Sequence, residues 1–235
     1  MRKSFLLLLL TPLLLAGCNS NSSNQSQVTN KTKVETAKQD NSTSSGITAQ
    51  TISNWTYSSG EKPVKIINND QPTTIHKTNF SQSHIDYGGL DELNRTKTAT
   101  AYLTRNNLGK SNTRTEQTFR PTGWHNQPKT VRGNRIIPQN RGHLIAYTMT
   151  FNLDRSGQPS QGQLGSIDNP YNLFTQTEFS NQKTMTQTEQ TVRNALAANK
   201  KVIYQVTPIF RGNELMARGV WVQAVSTDGS MKFNR

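Results

Sequence analysis

The stretch that decides the fold is Asn140-Arg141-Gly142-His143, which leads directly into the apolar run 144–151. A histidine beside an arginine places a base that is neutral near physiological pH next to a phosphate-binding cation. The intervening glycine is a small residue that lets the backbone approach closely. The apolar run predicts that the chain enters the core immediately after His143.

Three residues downstream offer oxygen atoms: Asn172, Asn181 and Glu189. Amide and carboxylate oxygens suit Mg2+ better than zinc, which takes histidine and cysteine ligands. Zinc chemistry is also disfavoured because no two histidines have ligand spacing, and a serine hydrolase is disfavoured because no G-x-S-x-G motif occurs. Together the two groups indicate a metal-dependent nuclease.

These motifs resemble the signature of the ββα-metal (His-Me finger) DNA/RNA non-specific endonucleases. The family pattern is D-R-G-H, then N, a nine-residue step to another N, and a later E. This chain reads N-R-G-H-L-I-A-Y, then N-L-F-T-Q-T-E-F-S-N-Q, then E-Q-T-V-R-N-A-L. The likeness runs from about Tyr87 to the C terminus and is strongest toward streptococcal-type surface and secreted DNases. One departure is Asn140, which keeps the shape of the family aspartate without its charge.

The resemblance implies a role for each motif residue. His143, on or beside a strand of the ββα unit, would be the general base that activates water, leaving 5′-phosphates. Asn181 would be the one protein ligand of Mg2+, with Mn2+ as a possible substitute. Asn172 would hydrogen-bond the loop or a water rather than the ion. The implied catalytic set is Arg141, His143, Asn172, Glu189 and Arg193.

Glu189 has two interpretations. On an unbroken helix its eight-residue separation from Asn181 is a rise of about 12 Å, so a metal-bound water or a loop before Thr186 must bridge them. Alternatively, Thr186-Gln-Thr-Glu189 is a capping-box sequence that starts a helix. Glu178 is the other candidate acid, and Arg193, one turn beyond Glu189, would bind phosphate or form a surface ion pair.

The N terminus predicts export and lipidation. Two basic residues precede the apolar run 5–15, and Leu15-Ala-Gly-Cys18 has the form of a lipobox. The run is shorter than the ~20 residues of a membrane span, so residues 1–17 are expected to be a lipoprotein signal peptide. The resemblance to bacterial lipoproteins implies a diacylglycerol on Cys18, hence a protein anchored at the extracellular face of the membrane or released from it. Cys18 is the only cysteine, which excludes an intrachain disulfide.

The chain divides by composition. Residues 18–54 are dominated by polar side chains that cannot offset the entropy of ordering, which predicts a disordered stalk. Residues 55–235 are long enough for one nuclease domain with its own core.

Within this domain, residues 98–103, 201–210 and 220–225 read as strands, and 155–168 as a loop. Val192, Leu196 and Ala197 give one helix an apolar stripe. Leu173, Phe174 and Phe179 are expected to bracket a buried stretch. The predicted class is α+β, a ββα-metal nuclease fold with a central antiparallel sheet.

The net charge of +13 indicates an anionic partner. Between Arg95 and Arg141 there are ten basic residues and one acid, Glu116. Beside a phosphodiester-cleaving motif this block favours DNA, and possibly RNA, as the partner, while wall polymers or lipid headgroups remain the alternative. No protein partner is predicted, and His76, His84 and His125 are interpreted as surface or satisfied core histidines.

Three functions remain open from the sequence. The first is a lipid-anchored endonuclease that is sugar-non-specific or prefers DNA. The second is a non-catalytic surface DNA-binding lipoprotein, in which Asn140 marks a decayed site. The third is an adhesin that uses only its basic face.

Overall fold

The computed structural model describes residues 46–235, so the signal peptide, Cys18 and most of the expected stalk fall outside the described residues. Within this range the chain forms α1 (Ala49–Ser53), β1 (His84–Tyr87), β2 (Ala99–Leu103), β3 (Lys129–Val131), β4 (Asn134–Ile136), β5 (Gln139–His143), β6 (Leu173–Thr177), α2 (Thr186–Ala197), β7 (Val202–Ile209), β8 (Gly219–Ser226) and β9 (Lys232–Asn234). No helix among residues 46–235 is both long and apolar enough to cross a membrane.

Five strands form the larger sheet, in the order β1-β2-β7-β8-β9, with every neighbouring pair antiparallel. In β2, Ala99, Ala101 and Leu103 are buried in alternation, because successive side chains of a strand point to opposite faces. The longer β7 and β8 are rich in β-branched residues and almost wholly buried. The predicted strands and the predicted α+β class with antiparallel sheets are confirmed.

A second layer, which we call the site layer, consists of β5, β6 and the helix that follows them. β5 and β6 are antiparallel, with His143 opposite Leu173 and Arg141 opposite Thr175. The helix packs on the sheet through Val192 and Leu196, which share one core cluster with buried residues of β2, β7 and β8. One side of the helix therefore belongs to the core, and Gln187, Gln190 and Asn194 on its other side are exposed.

The start of this helix differs from the capping-box prediction. Helical structure continues without a loop from Glu178 through a π-helical segment, Ser180–Met185, into α2. Thr186 therefore lies inside the helix, and its hydroxyl donates to the carbonyl of Asn181 at 3.1 Å. The capping-box prediction is wrong because the helix already has a preceding turn, which leaves Glu189 free of that local role. Phe179, expected to be buried, is 52% exposed.

The stalk prediction also needs correction at its C-terminal end. α1 begins at a capping box in which the side chain of Thr48 accepts from the backbone N–H of Thr51. Ile52 and Trp55 pack against a buried cluster that contains Trp221. Residues 46–54 therefore join the folded domain, because their few apolar side chains cover part of the sheet.

β3 and β4 form a hairpin whose residues are all exposed. Its two-residue turn, Arg132-Gly133, has positive φ angles of 49° and 79°, as the tight turns favoured by twisted strands require. The hairpin leads directly into β5 and carries part of the basic block.

Candidate active site

His143 lies at the end of β5 and faces a cavity of about 530 Å³. Its Nε2 is 3.0 Å from the carbonyl oxygen of Ile167. A carbonyl oxygen only accepts hydrogen bonds, so this contact assigns the proton to Nε2 and leaves Nδ1 as the acceptor. Desolvation lowers the pKa of His143 to about 4; the hydrogen bond to Ile167 opposes the shift, and the charge of Arg114 adds to it. The imidazole is therefore neutral at physiological pH.

Asn181 is fixed by a buried amide that sequence analysis did not identify. Nε2 of Gln176 donates to Oδ1 of Asn181 at 3.0 Å, and Oε1 of Gln176 accepts from Ser180 at 2.8 Å. Gly142 makes this network possible, because a Cβ there would lie 1.8 Å from Nε2 of Gln176. The glycine of the motif thus lets a neighbouring strand deliver the amide that orients Asn181.

Glu189 lines the same cavity with its side chain only 16% exposed. Desolvation raises its pKa to about 7, while Arg193 and Arg114 oppose that shift. Oε2 of Glu189 is 3.7 Å from Nη1 of Arg193. Arg193 also donates to Thr148 and Gln190, and it is not among the residues that line the cavity. The structure thus places Arg193 behind Glu189, and the predicted contact of Arg193 with phosphate stays a prediction.

Arg141 faces the cavity and also braces a loop. Its Nη1 donates to the carbonyls of Gln117 and Phe119 at 2.6 and 3.2 Å, and its guanidinium lies 5.3 Å from the ring centre of Trp124. An arginine has five N–H donors, so the remaining ones are available for an anion.

Asn172 was expected to lie in the catalytic site, but the structure places it outside the cavity. It is fully buried, its Oδ1 accepts from the N–H of Ile145, and its Nδ2 donates to the carbonyl of Ile145, both at 2.9 Å. The amide of Asn172 is thus consumed in holding the segment that follows His143, and it does not line the cavity. Of its two expected partners, the loop and a water, the structure shows the hydrogen bonds to the loop.

The cavity unites four of the predicted residues: Arg141, His143, Asn181 and Glu189. Asn140 lines it too, and so does Arg114, whose guanidinium lies over the ring of Tyr147. In the sequence Arg114 is only one residue of the basic block, since no motif distinguishes it.

The other histidines lie apart from this site. His84, on β1, stacks on Tyr102 at 4.3 Å between ring centres, with its Nε2 3.4 Å from Asp86. His76 and His125 are exposed. His76 and His125 are therefore surface histidines, whereas His84 is a half-buried one with its ring packed and hydrogen-bonded.

The donors around the cavity fit a hard divalent cation. Gln176 fixes the amide of Asn181 so that the atom it holds is the oxygen, and an amide oxygen retains a second lone pair. The carboxylate of Glu189 is nearby and partly desolvated. Mg2+ is bound in proteins by a few such oxygens and completes its shell with water and substrate phosphate.

The fold and the site agree with what comparison with known proteins shows. A protein-family model described as DNA/RNA non-specific endonuclease matches residues 72–228, about two thirds of the chain. The chain belongs to this family.

Among solved structures, this endonuclease-family chain is similar to NucA from Streptococcus agalactiae. The crystal structure of NucA with magnesium bound is 28% identical, covers 72% of this chain and 77% of NucA, and has a TM-score of 0.59. The crystal structure without metal is also 28% identical, covers 72% and 76% of the two chains, and has a TM-score of 0.58. The resemblance stated from the motifs and the ββα fold class are thereby confirmed.

Proposed function

We propose that this endonuclease-family chain is an extracellular, Mg2+-dependent enzyme that hydrolyses phosphodiester bonds in DNA, and also in RNA. The observation that carries the proposal is one cavity lined by Asn181, Glu189 and a neutral imidazole whose Nε2 is bound to Ile167, so that Nδ1 is its acceptor. The magnesium bound by NucA supports the choice of cation.

His143 acts as the general base. Its Nε2–H is held by Ile167, so Nδ1 takes the proton from the attacking water, which adds to phosphorus in line with the departing 3′ oxygen. Arg141 and Arg114 orient the phosphate by their positive charge. Hydrolysis in this sense leaves a 5′-phosphate on one product and a 3′-hydroxyl on the other.

Asn181 and Glu189 would hold the cation, Asn181 directly and Glu189 through a water. When bound, a divalent cation supplies stabilisation of the charge on the phosphate and the leaving oxygen. Gln176 serves this site by keeping the oxygen of Asn181 oriented. Mn2+, which also accepts oxygen ligands, is the expected substitute.

The nucleic-acid interface is proposed to be the basic surface that leads into the cavity. Arg120, Lys129, Arg132 and Arg135 are exposed, and none of them forms an ion pair within residues 46–235. Ile137, which follows the β3–β4 hairpin, lines the cavity. Contacts of this kind reach phosphates and carry no base information, which suits non-specific cleavage.

Replacing these four basic residues with alanine should weaken DNA binding and reduce the slope of log K against log salt by about 3.6, since each lost phosphate contact contributes about 0.9. The matched control replaces Lys62, Lys77, Lys201 and Lys232, four exposed lysines carried elsewhere on the domain. An equal change in slope for both sets would mean that binding depends on net charge alone.

Lipid anchoring at Cys18 is proposed from the lipobox. It would hold the enzyme at the extracellular face of the membrane, where DNA released from cells is the available substrate. Labelling of the full chain with a radioactive or clickable fatty acid in the producing cell, compared with Cys18→Ala, tests this part separately.

The activity itself is tested on supercoiled plasmid with the purified protein, with Mg2+ and with EDTA. We expect cleavage only with the cation, and products that DNA ligase joins without prior kinase treatment because they carry 5′-phosphates. Asn181→Ala should reduce the rate by about 10³-fold or more, since the cation contributes several kcal/mol to the transition state, and should leave DNA binding largely intact.

Asn194→Ala is the matched control, because Asn194 is an exposed asparagine on the same helix. Cleavage that persists in EDTA, or near-normal Mg2+-dependent cleavage by Asn181→Ala, would contradict the proposal. DNA binding by the wild-type chain without any cleavage would support the non-catalytic alternative.

A further inference from the structure

The helix that carries Asn181 and Glu189 changes type between them. Residues Ser180–Met185 form a π-helical turn, and α2 continues from Thr186. In a π turn each hydrogen bond spans five residues instead of four, so the turn holds one residue more than an α turn. Such turns are rare in proteins and occur frequently at functional sites.

This extra residue changes which side chains share a face. In an uninterrupted α-helix, eight positions correspond to about 800°, so Asn181 and Glu189 would point about 80° apart. If the π turn absorbs one residue, the separation is equivalent to seven α-helical steps, or about 700°, which brings the two within about 20° of one direction. Both residues line the same cavity, as this alignment requires.

We propose that the π-helical turn is the device that brings Asn181 and Glu189 onto one face for a single cation, and that Thr186 is the positioning residue that holds the turn. The proposal rests on the Mg2+ site proposed above. It assigns to Thr186 a role that its position in a capping-box sequence conceals.

The contacts of Thr186 support this role. Its hydroxyl donates to the carbonyl of Asn181, five residues earlier, at 3.1 Å. Thr184 within the turn donates to the carbonyl of Ser180 at 3.0 Å, and Thr188 and Thr191 beyond it donate to carbonyls four residues earlier, both at 3.2 Å, so these three have the spacing of an α-helix and Thr186 differs from them. The hydrogen bond of Thr186 therefore has the span of the π turn.

Thr186 is exposed and lines the cavity, so it does not serve the apolar core. Its bond reaches the backbone of Asn181, whereas the bond from Gln176 reaches the side chain of the same residue. Asn181 is thus held at two independent points, one of which sets its helical register and the other the direction of its oxygen.

Three variants of the full chain test the hydroxyl. Thr186→Val removes it and keeps the shape, Thr186→Ser keeps it, and Thr191→Val is the matched control in the α-helical part. Isothermal titration with Mg2+ should show affinity weakened about 10- to 100-fold in Thr186→Val and close to wild type in the other two. Cleavage by Thr186→Val should lose kcat with little change in KM for DNA, and circular dichroism should report unchanged helix content.

A change of helix length tests the register itself. Lys183 is an exposed residue of the turn, and its deletion reduces the separation of Asn181 and Glu189 from eight positions to seven. An uninterrupted α-helix places residues seven positions apart on nearly the same face. Mg2+ affinity is therefore expected to survive this deletion. Inserting one alanine after Lys183 should abolish Mg2+ binding, because it rotates Glu189 away.

The outcomes are separable from those of the proposed function. A wild-type chain that neither binds Mg2+ nor cleaves DNA would remove the proposed function and this inference with it. If the wild type binds Mg2+ and Thr186→Val binds it equally well, only this inference fails. If Thr186→Val does not fold, the deletion and insertion decide, and equal Mg2+ affinities in those two overturn the inference.

Discussion

The five-stranded sheet and the site layer share one apolar core but differ in what their buried hydrogen bonds hold. The sheet buries apolar side chains such as Leu103, Ile203 and Val206. Both layers also bury amides, but Gln176 of the site layer is hydrogen-bonded to Asn181 of the cavity, whereas the hydrogen-bond partners of Gln223 and Asn234 in the sheet do not line the cavity. Apolar packing tolerates conservative exchange, whereas a buried polar network depends on every partner. We therefore expect substitutions in the sheet to affect stability first, and substitutions in the site layer to affect activity first.

The largest expected difference between the two layers is the one between the variants Gln176→Leu in the site layer and Ile203→Val in the sheet. Loss of the Gln176 amide releases the oxygen of Asn181, so we expect activity and Mg2+ affinity to fall about 10- to 100-fold. Ile203→Val should cost about 0.5–1.5 kcal/mol of stability and leave kcat unchanged. Urea unfolding and steady-state cleavage of the two variants would measure both quantities. Equal activity losses would show that the two layers are not functionally distinct.

The sheet was the predictable part of the molecule. Alternating apolar residues in 98–103 and β-branched runs in 201–210 and 220–225 specify strands locally, and the structure forms them. The sequence also predicted His143, Asn181 and Glu189 as site residues, because the family motif contains them at a characteristic spacing.

The residues and turns that hold the motif side chains in place could not be predicted from the sequence. The role of Gln176 depends on the close approach that Gly142 permits across two strands, which no local pattern encodes. The capping-box sequence at Thr186 failed because a preceding π turn extends the helix. α1 was assigned to the stalk because polar residues surround its few apolar contacts, such as Ile52.

Acid stability gives a second test of the comparison, through the buried imidazole of the site layer. The pKa of His143 is about 4 in the folded state against an ordinary value of 6.5, so the unfolded chain takes up the proton first as the pH falls. The stability that this neutral imidazole contributes is complete above pH 6.5 and declines toward pH 4. At pH 5 the loss is about 2 kcal/mol.

His143→Asn has no group that titrates in this range, so its unfolding free energy should change less than that of the wild type between pH 7.5 and pH 5. Urea unfolding of both proteins at the two pH values measures the difference. Parallel losses in the two proteins would mean that His143 is not desolvated.

The smallest expected effect belongs to Asn140, which lines the cavity in place of the family aspartate. Asn140→Asp restores that carboxylate beside Arg141, and we expect activity to stay equal or to rise. A loss of more than about tenfold, or roughly 1.4 kcal/mol of barrier, would show that the site is tuned to the amide. Initial rates on plasmid at saturating Mg2+ distinguish these results.

Chemical rescue of His143→Gly tests the central claim most directly, that the free Nδ1 of His143 accepts the proton of the attacking water. The variant should fold, bind DNA and lack activity near neutral pH, because the group that accepts the proton of the attacking water is removed. Added imidazole should restore part of the rate in proportion to its neutral form, as a base that enters the vacated space would. If His143→Gly cleaves DNA unaided, or if it stays inactive with imidazole at every pH while folded and bound to DNA, His143 is not the base.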